Sequence, residues 1–190
     1  MAEEETKRCV TGFRFNPLDE QLITHYLKPM ILREPLPCDI IKIRQVYGPT
    51  CDPWHVFYPN DHRLWFTSPD IKDTEKFTFA FVTLSKLCKS ITSNFKNTSK
   101  RAGCGTWVGK TRRDQITDDE GNVIGERRYL VFEIRDIDSA AGVGGFDLSK
   151  VGFYRMHEYS LSGLNSGFDS ANTTVLCKIT HDSSCWVCGV

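Results

Sequence analysis

Phe77-Thr78-Phe79-Ala80-Phe81-Val82 is the stretch that decides the fold class. Large aromatics alternate with smaller residues at a period of two, the spacing of a strand whose successive side chains point to opposite faces. The texture persists downstream. Arg63 to Thr67, Cys104 to Val108, Arg113 to Thr117, Val123 to Ile134, Gly152 to Ser160 and Thr173 to Thr180 read as strands. Asp118-Asp119-Glu120-Gly121-Asn122 reads as the turn between two of them. Upstream the period changes. Leu22, Ile23, Tyr26 and Leu27 form one apolar helical face. Asn16-Pro17 is the expected helix start, with Asp19 and Glu20 in the first turn, where the helix dipole favours anions. Pro29 is expected to end or kink this helix. A second short helix is expected over Asp39 to Val46, stopped by Gly48-Pro49, with Pro53-Trp54 in a turn. Early helices followed by many strands, with no helix-strand alternation and no repeat, argue an α+β fold with a mostly antiparallel sheet and a few short helices.

The chain has 190 residues, 40% hydrophobic and 25% charged, enough for one domain with a core that needs no disulfide staples. Residues 1–8 are expected to be a disordered polar tail, residues 9–181 the domain and residues 182–190 a C-terminal tail. Ala140 to Gly145 reads as a flexible loop. The acidic start lacks the apolar core of a signal peptide, and no run reaches the ~20 apolar residues of a membrane helix. Eight scattered cysteines suit a reducing compartment.

The charge balance of 24 basic to 24 acidic residues conceals an asymmetry. Nine of those cations are Lys76, Lys86, Lys89, Lys96, Lys100, Arg101, Lys110, Arg112 and Arg113, in a window without one Asp or Glu. Such a segment suggests a surface that faces a polyanion, set against a merely solvated basic loop. Lys96, Lys100 and Arg101 precede the Trp107 strand, and Lys110, Thr111, Arg112 and Arg113 follow it. Cations flanking a strand can grip phosphates while the strand reads bases. Trp107 is read first as a buried anchor for that strand and second as part of the contact surface.

Six blocks in series resemble the plant NAC transcription factors. Gly12-Phe13-Arg14-Phe15-Asn16-Pro17-Leu18-Asp19-Glu20-Gln21-Leu22 is similar to their opening motif, GFRFxPTDEEL. Tyr47 with Pro53-Trp54, Arg101 to Trp107, Leu130-Val131-Phe132, Met156 to Leu161 and Val175 to Ile179 resemble the later motifs in the same order. The resemblance implies a twisted antiparallel sheet packed against helices, a dimer built on the N-terminal motif, and a strand edge entering the DNA major groove. It implies double-stranded DNA and related NAC proteins as partners, a nuclear location, no cofactor and no membrane. It places Lys100 where the family carries a DNA-contacting arginine. The DNA-binding set is then Lys96, Lys100, Arg101, Trp107, Lys110, Thr111, Arg112 and Arg113. Replacing Lys100, Arg101, Arg112 and Arg113 by Ala is expected to abolish binding and spare the fold. The dimer set is Val10, Gly12, Arg14, Leu18 and Gln21.

The departures are as informative. Val108 stands where the family has the lysine after its tryptophan, and Asp136 and Asp138 stand in a stretch that is usually lysine-rich. Fewer phosphate contacts imply weaker, less salt-dependent binding. Gln21 replaces the glutamate that pairs with the motif arginine, here Arg14, so the dimer is expected to rest on strand pairing and apolar contact near Val10 to Leu18. A different class of function follows from these changes: an interaction module that dimerises with relatives but binds DNA weakly or not at all. Cys177, His181, Cys185 and Cys188 have a spacing able to close a zinc site, but Cys177 matches a structural position of the family and no metal is expected. His157-Glu158 resembles an acid-base pair. The two residues would face opposite ways on a strand, and no nucleophile motif accompanies them, so no enzyme is expected.

Overall fold

The structure is a computed structural model that describes residues 15–58, 61, 65–67, 73–84, 99–135, 152–162 and 173–184. Among the described residues, eight strands form one sheet: β1 (Lys42–Ile43), β2 (Glu75–Leu84), β3 (Ser99–Ala102), β4 (Gly105–Gly109), β5 (Asp114–Thr117), β6 (Val123–Ile134), β7 (Phe153–Leu161) and β8 (Thr173–Asp182). Their order is β1-β2-β8-β7-β6-β4-β3, with β5 also paired to β6. Every pairing is antiparallel except β1 with β2. The α+β, mostly antiparallel expectation therefore holds.

Both faces of the sheet are covered, and the aromatic alternation is the reason. Phe77, Phe79 and Phe81 point into one core with Leu22, Ile23, Leu27, Tyr159 and Leu176. Ala80 and Val82 point into the other, beneath Tyr47, Trp54, Phe57 and Trp65, with Trp107, Leu130, Met156 and Cys177. β2 is thus buried continuously from Phe77 to Val82. Each fully buried large apolar side chain contributes about 1.5–3 kcal/mol.

The helical run departs from expectation at both ends. It starts at Asp19, two residues after Pro17, with Leu18 as N-cap. Leu18 has no capping side chain, and the Gln21 side-chain oxygen Oε1 accepts its backbone N–H instead (3.0 Å). The run comprises α1 (Asp19–Gln21), a π-helical turn (Leu22–Leu27) and α2 (Lys28–Leu32). Pro29 does not end it. The wider π turn ends at Leu27, two residues before the proline, which is the second residue of α2. The helix stops at Arg33, in the left-handed conformation (φ 59°).

No helix forms over Asp39 to Val46. Lys42 and Ile43 instead pair in parallel with Ala80 and Phe81. The β-branched Ile40-Ile41-Lys42-Ile43 stretch suits the otherwise open edge of β2. A short helix, α3 (Pro53–Val56), occupies what was expected to be a turn, with Pro at its first position. The Asp118 turn is as expected, with its carboxylate accepting the N–H groups of Glu120 and Asn122.

Candidate nucleic-acid interface

Strand β3 is the edge of the sheet, and β4 lies between it and β6. The β3–β4 hairpin tip is held from below. Gly48 N–H donates to Arg101 O and Gly103 N–H to Gly48 O, while Cys104 N–H donates to Asp52 Oδ1 at 2.8 Å. Gly103 has φ +55°, and a Cβ there would overlap the Asp52 carboxylate.

Strands β4 and β5 follow one another along the same side of β6. Gly109 opposes Leu130 and Asp114 opposes Arg127. Four residues, Lys110, Thr111, Arg112 and Arg113, therefore occupy a gap that spans only Arg128 and Tyr129 on β6. The surplus pushes the segment outward, as a bulge does, and all four residues are exposed. A Cβ on Gly109 would lie 2.6 Å from Arg128 Nη2, so the Arg128 guanidinium would have to move to admit a side chain there.

Register then sorts the cations. Lys100 pairs with Trp107, which pairs with Phe132, so all three point to the inner face. Trp107 is fully buried and offers no ring to a ligand, as the anchor reading expected. Lys100 is turned inward too. Its Nζ lies 2.5 Å from Glu158 Oε2, with both side chains 9% exposed, and it sits over the Tyr47 ring. Tyr47 Oη donates to the same oxygen at 2.5 Å. Burial pushes the Glu158 carboxyl up. The Lys100 charge and the hydrogen bonds from Lys100 and Tyr47 outweigh that and hold it below its ordinary value. Lys100 is thus a buried counter-ion, and its replacement by Ala is expected to damage the fold.

Arg101 points the other way, sharing a row with Thr106 and Glu133. Lys110 Nζ reaches Glu133 Oε1 at 2.5 Å, and Arg135 Nη2 reaches Oε2 at 2.9 Å. The hydrogen bond from Lys110 chiefly holds the Glu133 carboxyl below its ordinary value. Arg113 pairs with Glu126 at 2.8 Å on the opposite face of β6. Arg101 and Arg112 have no ion pair with any described residue and are exposed. The basic residues thus form an edge with cations on both faces. Lys96 lies outside the described residues.

Of the expected dimer set, Val10, Gly12 and Arg14 lie outside the described residues. Leu18 is 68% exposed. It lines a cleft of about 550 Å³ with Asp19, Asp114, Ile116 and Arg127. Asp19 ties the helix to the sheet by accepting from Arg127 (2.6 Å) and Tyr159 (2.7 Å). His157 and Glu158 do face opposite ways on β7. Cys177 and His181 share a face of β8, while Cys185 and Cys188 lie outside the described residues.

Glu126 and Glu133, and the role of Glu158 as the partner of Lys100, are what the sequence reading missed. A signal existed for one of them: Glu158 is two residues from Met156 on a strand, and so shares its inner face. The partners of the other two depend on strand pairing.

Residues 10–161 match the family described as "No apical meristem (NAM) protein". NAC domain-containing protein 96 of Arabidopsis thaliana is 30% identical over 177 residues, covering 88% of this chain and 50% of the relative. NAC domain-containing protein 68 of Oryza sativa subsp. japonica is 27% identical over 187 residues, covering 92% of this chain and 49% of the relative. NAC transcription factor NAM-1 of Hordeum vulgare subsp. vulgare is 41% identical over 61 residues, 30% of this chain and 14% of the relative. The chain spans half or less of the length of these relatives. The match covers well over half of the chain, so the chain belongs to the NAM family of NAC domain proteins, whose members are generally transcription factors.

Proposed function

We propose that this chain is a sequence-specific DNA-binding transcription regulator that works in the nucleus as a dimer, with the β3–β4 edge and the Lys110–Arg113 bulge entering the major groove. The observation that carries this reading is the bulge, with four exposed residues, three of them cationic, at the outer side of β6. A β element fits a groove ~12 Å wide. Arg101, Arg112 and Arg113 are the base- and phosphate-contacting candidates, since a guanidinium fork matches guanine O6 and N7. Lys110 and Thr111 are phosphate contacts. Lys100 and Trp107 hold the strand in place. Exposed Leu18 and Gln21, with Val10, Gly12 and Arg14, form the dimer surface with a second copy or a related NAC protein.

DNA-site selection on the dimer at a stated salt concentration tests the reading. Arg101→Ala/Arg112→Ala is expected to bind more weakly with its melting temperature unchanged. Its slope of log affinity on log salt should fall by about 1.8, at about 0.9 for each phosphate no longer neutralised. An unchanged slope would move the interface elsewhere.

One set of observations favours a second reading. Lys100, Lys110 and Arg113 are each paired with a carboxylate, which leaves fewer cations for phosphates. An interaction module that dimerises with relatives and scarcely binds DNA would look like this. Dimerisation with no selected DNA sequence is its expected result.

A further inference from the structure

Glu133 ends the row that runs from Arg101 through Thr106, and it holds two cations from outside that row. Its two oxygens are divided between Lys110 (2.5 Å) and Arg135 (2.9 Å). A carboxylate that takes two charge-assisted hydrogen bonds occupies its cations much as a phosphate would. All three side chains are partly exposed, at 43% for Lys110, 60% for Arg135 and 34% for Glu133. Exposed pairs of this kind are weak, so a polyanion can take the cations over. The buried Lys100–Glu158 pair offers no such exchange, because both groups are out of reach.

We propose that Glu133 is an internal stand-in for a DNA phosphate, holding Lys110 and Arg135 until duplex DNA displaces it and so attenuating affinity. The proposal rests on the DNA-binding reading above and adds to it a residue that sets its strength. Each phosphate contact must first undo a contact within the protein, and the carboxylate left behind then repels the nucleic acid.

The test is Glu133→Gln, measured by fluorescence anisotropy with a labelled random-sequence duplex. The amide keeps the size and acceptor of the side chain and removes its charge. Binding is expected to tighten about tenfold at about 0.1 M salt with the salt slope unchanged, because the same phosphates are neutralised in both forms. Lys110→Gln/Glu133→Gln should show a slope lower by about 0.9, one phosphate contact fewer. Glu34→Gln removes the same charge after the N-terminal helix and should leave binding unchanged. Circular dichroism melts check that the variants fold, with Glu133→Thr, a good strand former, as the second variant. Binding by E133Q where the wild type is silent supports the inference. Equal affinity of wild type and E133Q overturns it while leaving the DNA-binding reading intact, and so does equal tightening by E34Q. Failure of every form to bind overturns both.

Discussion

Glu158→Ala is expected to destabilise the domain by about 3–5 kcal/mol, the cost of leaving a buried charge without its partner. Removing the carboxylate strands the Lys100 ammonium, 9% exposed, and takes away the oxygen acceptor of Tyr47, leaving it the Met156 Sδ at 3.4 Å. It also removes a favourable charge from Arg128, the cross-strand neighbour, itself 9% exposed. A domain's whole stability is about 5–15 kcal/mol, so a substantial fraction is at stake. Urea unfolding followed by circular dichroism measures the loss, and a change under about 1 kcal/mol would show that the cluster hydrates without cost. Lys100→Met/Glu158→Leu should recover much of it, because an apolar pair of similar volume avoids the desolvation penalty. The pH dependence has a definite sign. Glu158 is held below its ordinary value in the fold, so its contribution is present above the unfolded carboxyl value of about 4.3. It is lost as pH falls from there through the lower folded value. Wild type should lose stability in that acid window more steeply than the Lys100→Met/Glu158→Leu variant.

Gly103→Ala is the second large effect, with an expected loss of about 3 kcal/mol or more. Two costs combine: a left-handed φ that a Cβ disfavours by about 1 kcal/mol or more, and overpacking worth about 1–3 kcal/mol. The new methyl group would overlap the Asp52 carboxylate, which cannot withdraw without releasing the Cys104 N–H. For a chain of this length the melting temperature should fall by roughly 6–12 °C, at about 2–4 °C per kcal/mol. A melt within about 2 °C of wild type would mean that the hairpin tip rearranges freely.

The longer strands were legible because their signal is local, whereas β1 and β3 were not expected and the expected Arg63–Thr67 strand shows only an isolated bridge at Phe66 among its described residues. The expected Val123–Ile134 strand coincides with β6, and Phe77–Val82 lies inside β2. Asp118 to Asn122 form the turn that their residue types dictate. The failures are places where a distant partner overrides a local preference. Lys42-Ile43 became a strand because β2 had an open edge. Pro29 stayed inside a helical run because the chain widened into a π turn ahead of it.

The candidate interface divides along the same line. The acid-free basic window, the anchor role of Trp107 and the exposed Lys110–Arg113 segment follow from residue order alone, because charge clustering and strand alternation are properties of neighbours in the chain. Which cations remain available does not. Lys100 meets a carboxylate 58 positions away and Lys110 one 23 positions away. Those meetings exist only once β3, β4, β6 and β7 have taken their register. Pairing parity decides which face a charge joins, and whether an opposite charge already waits there.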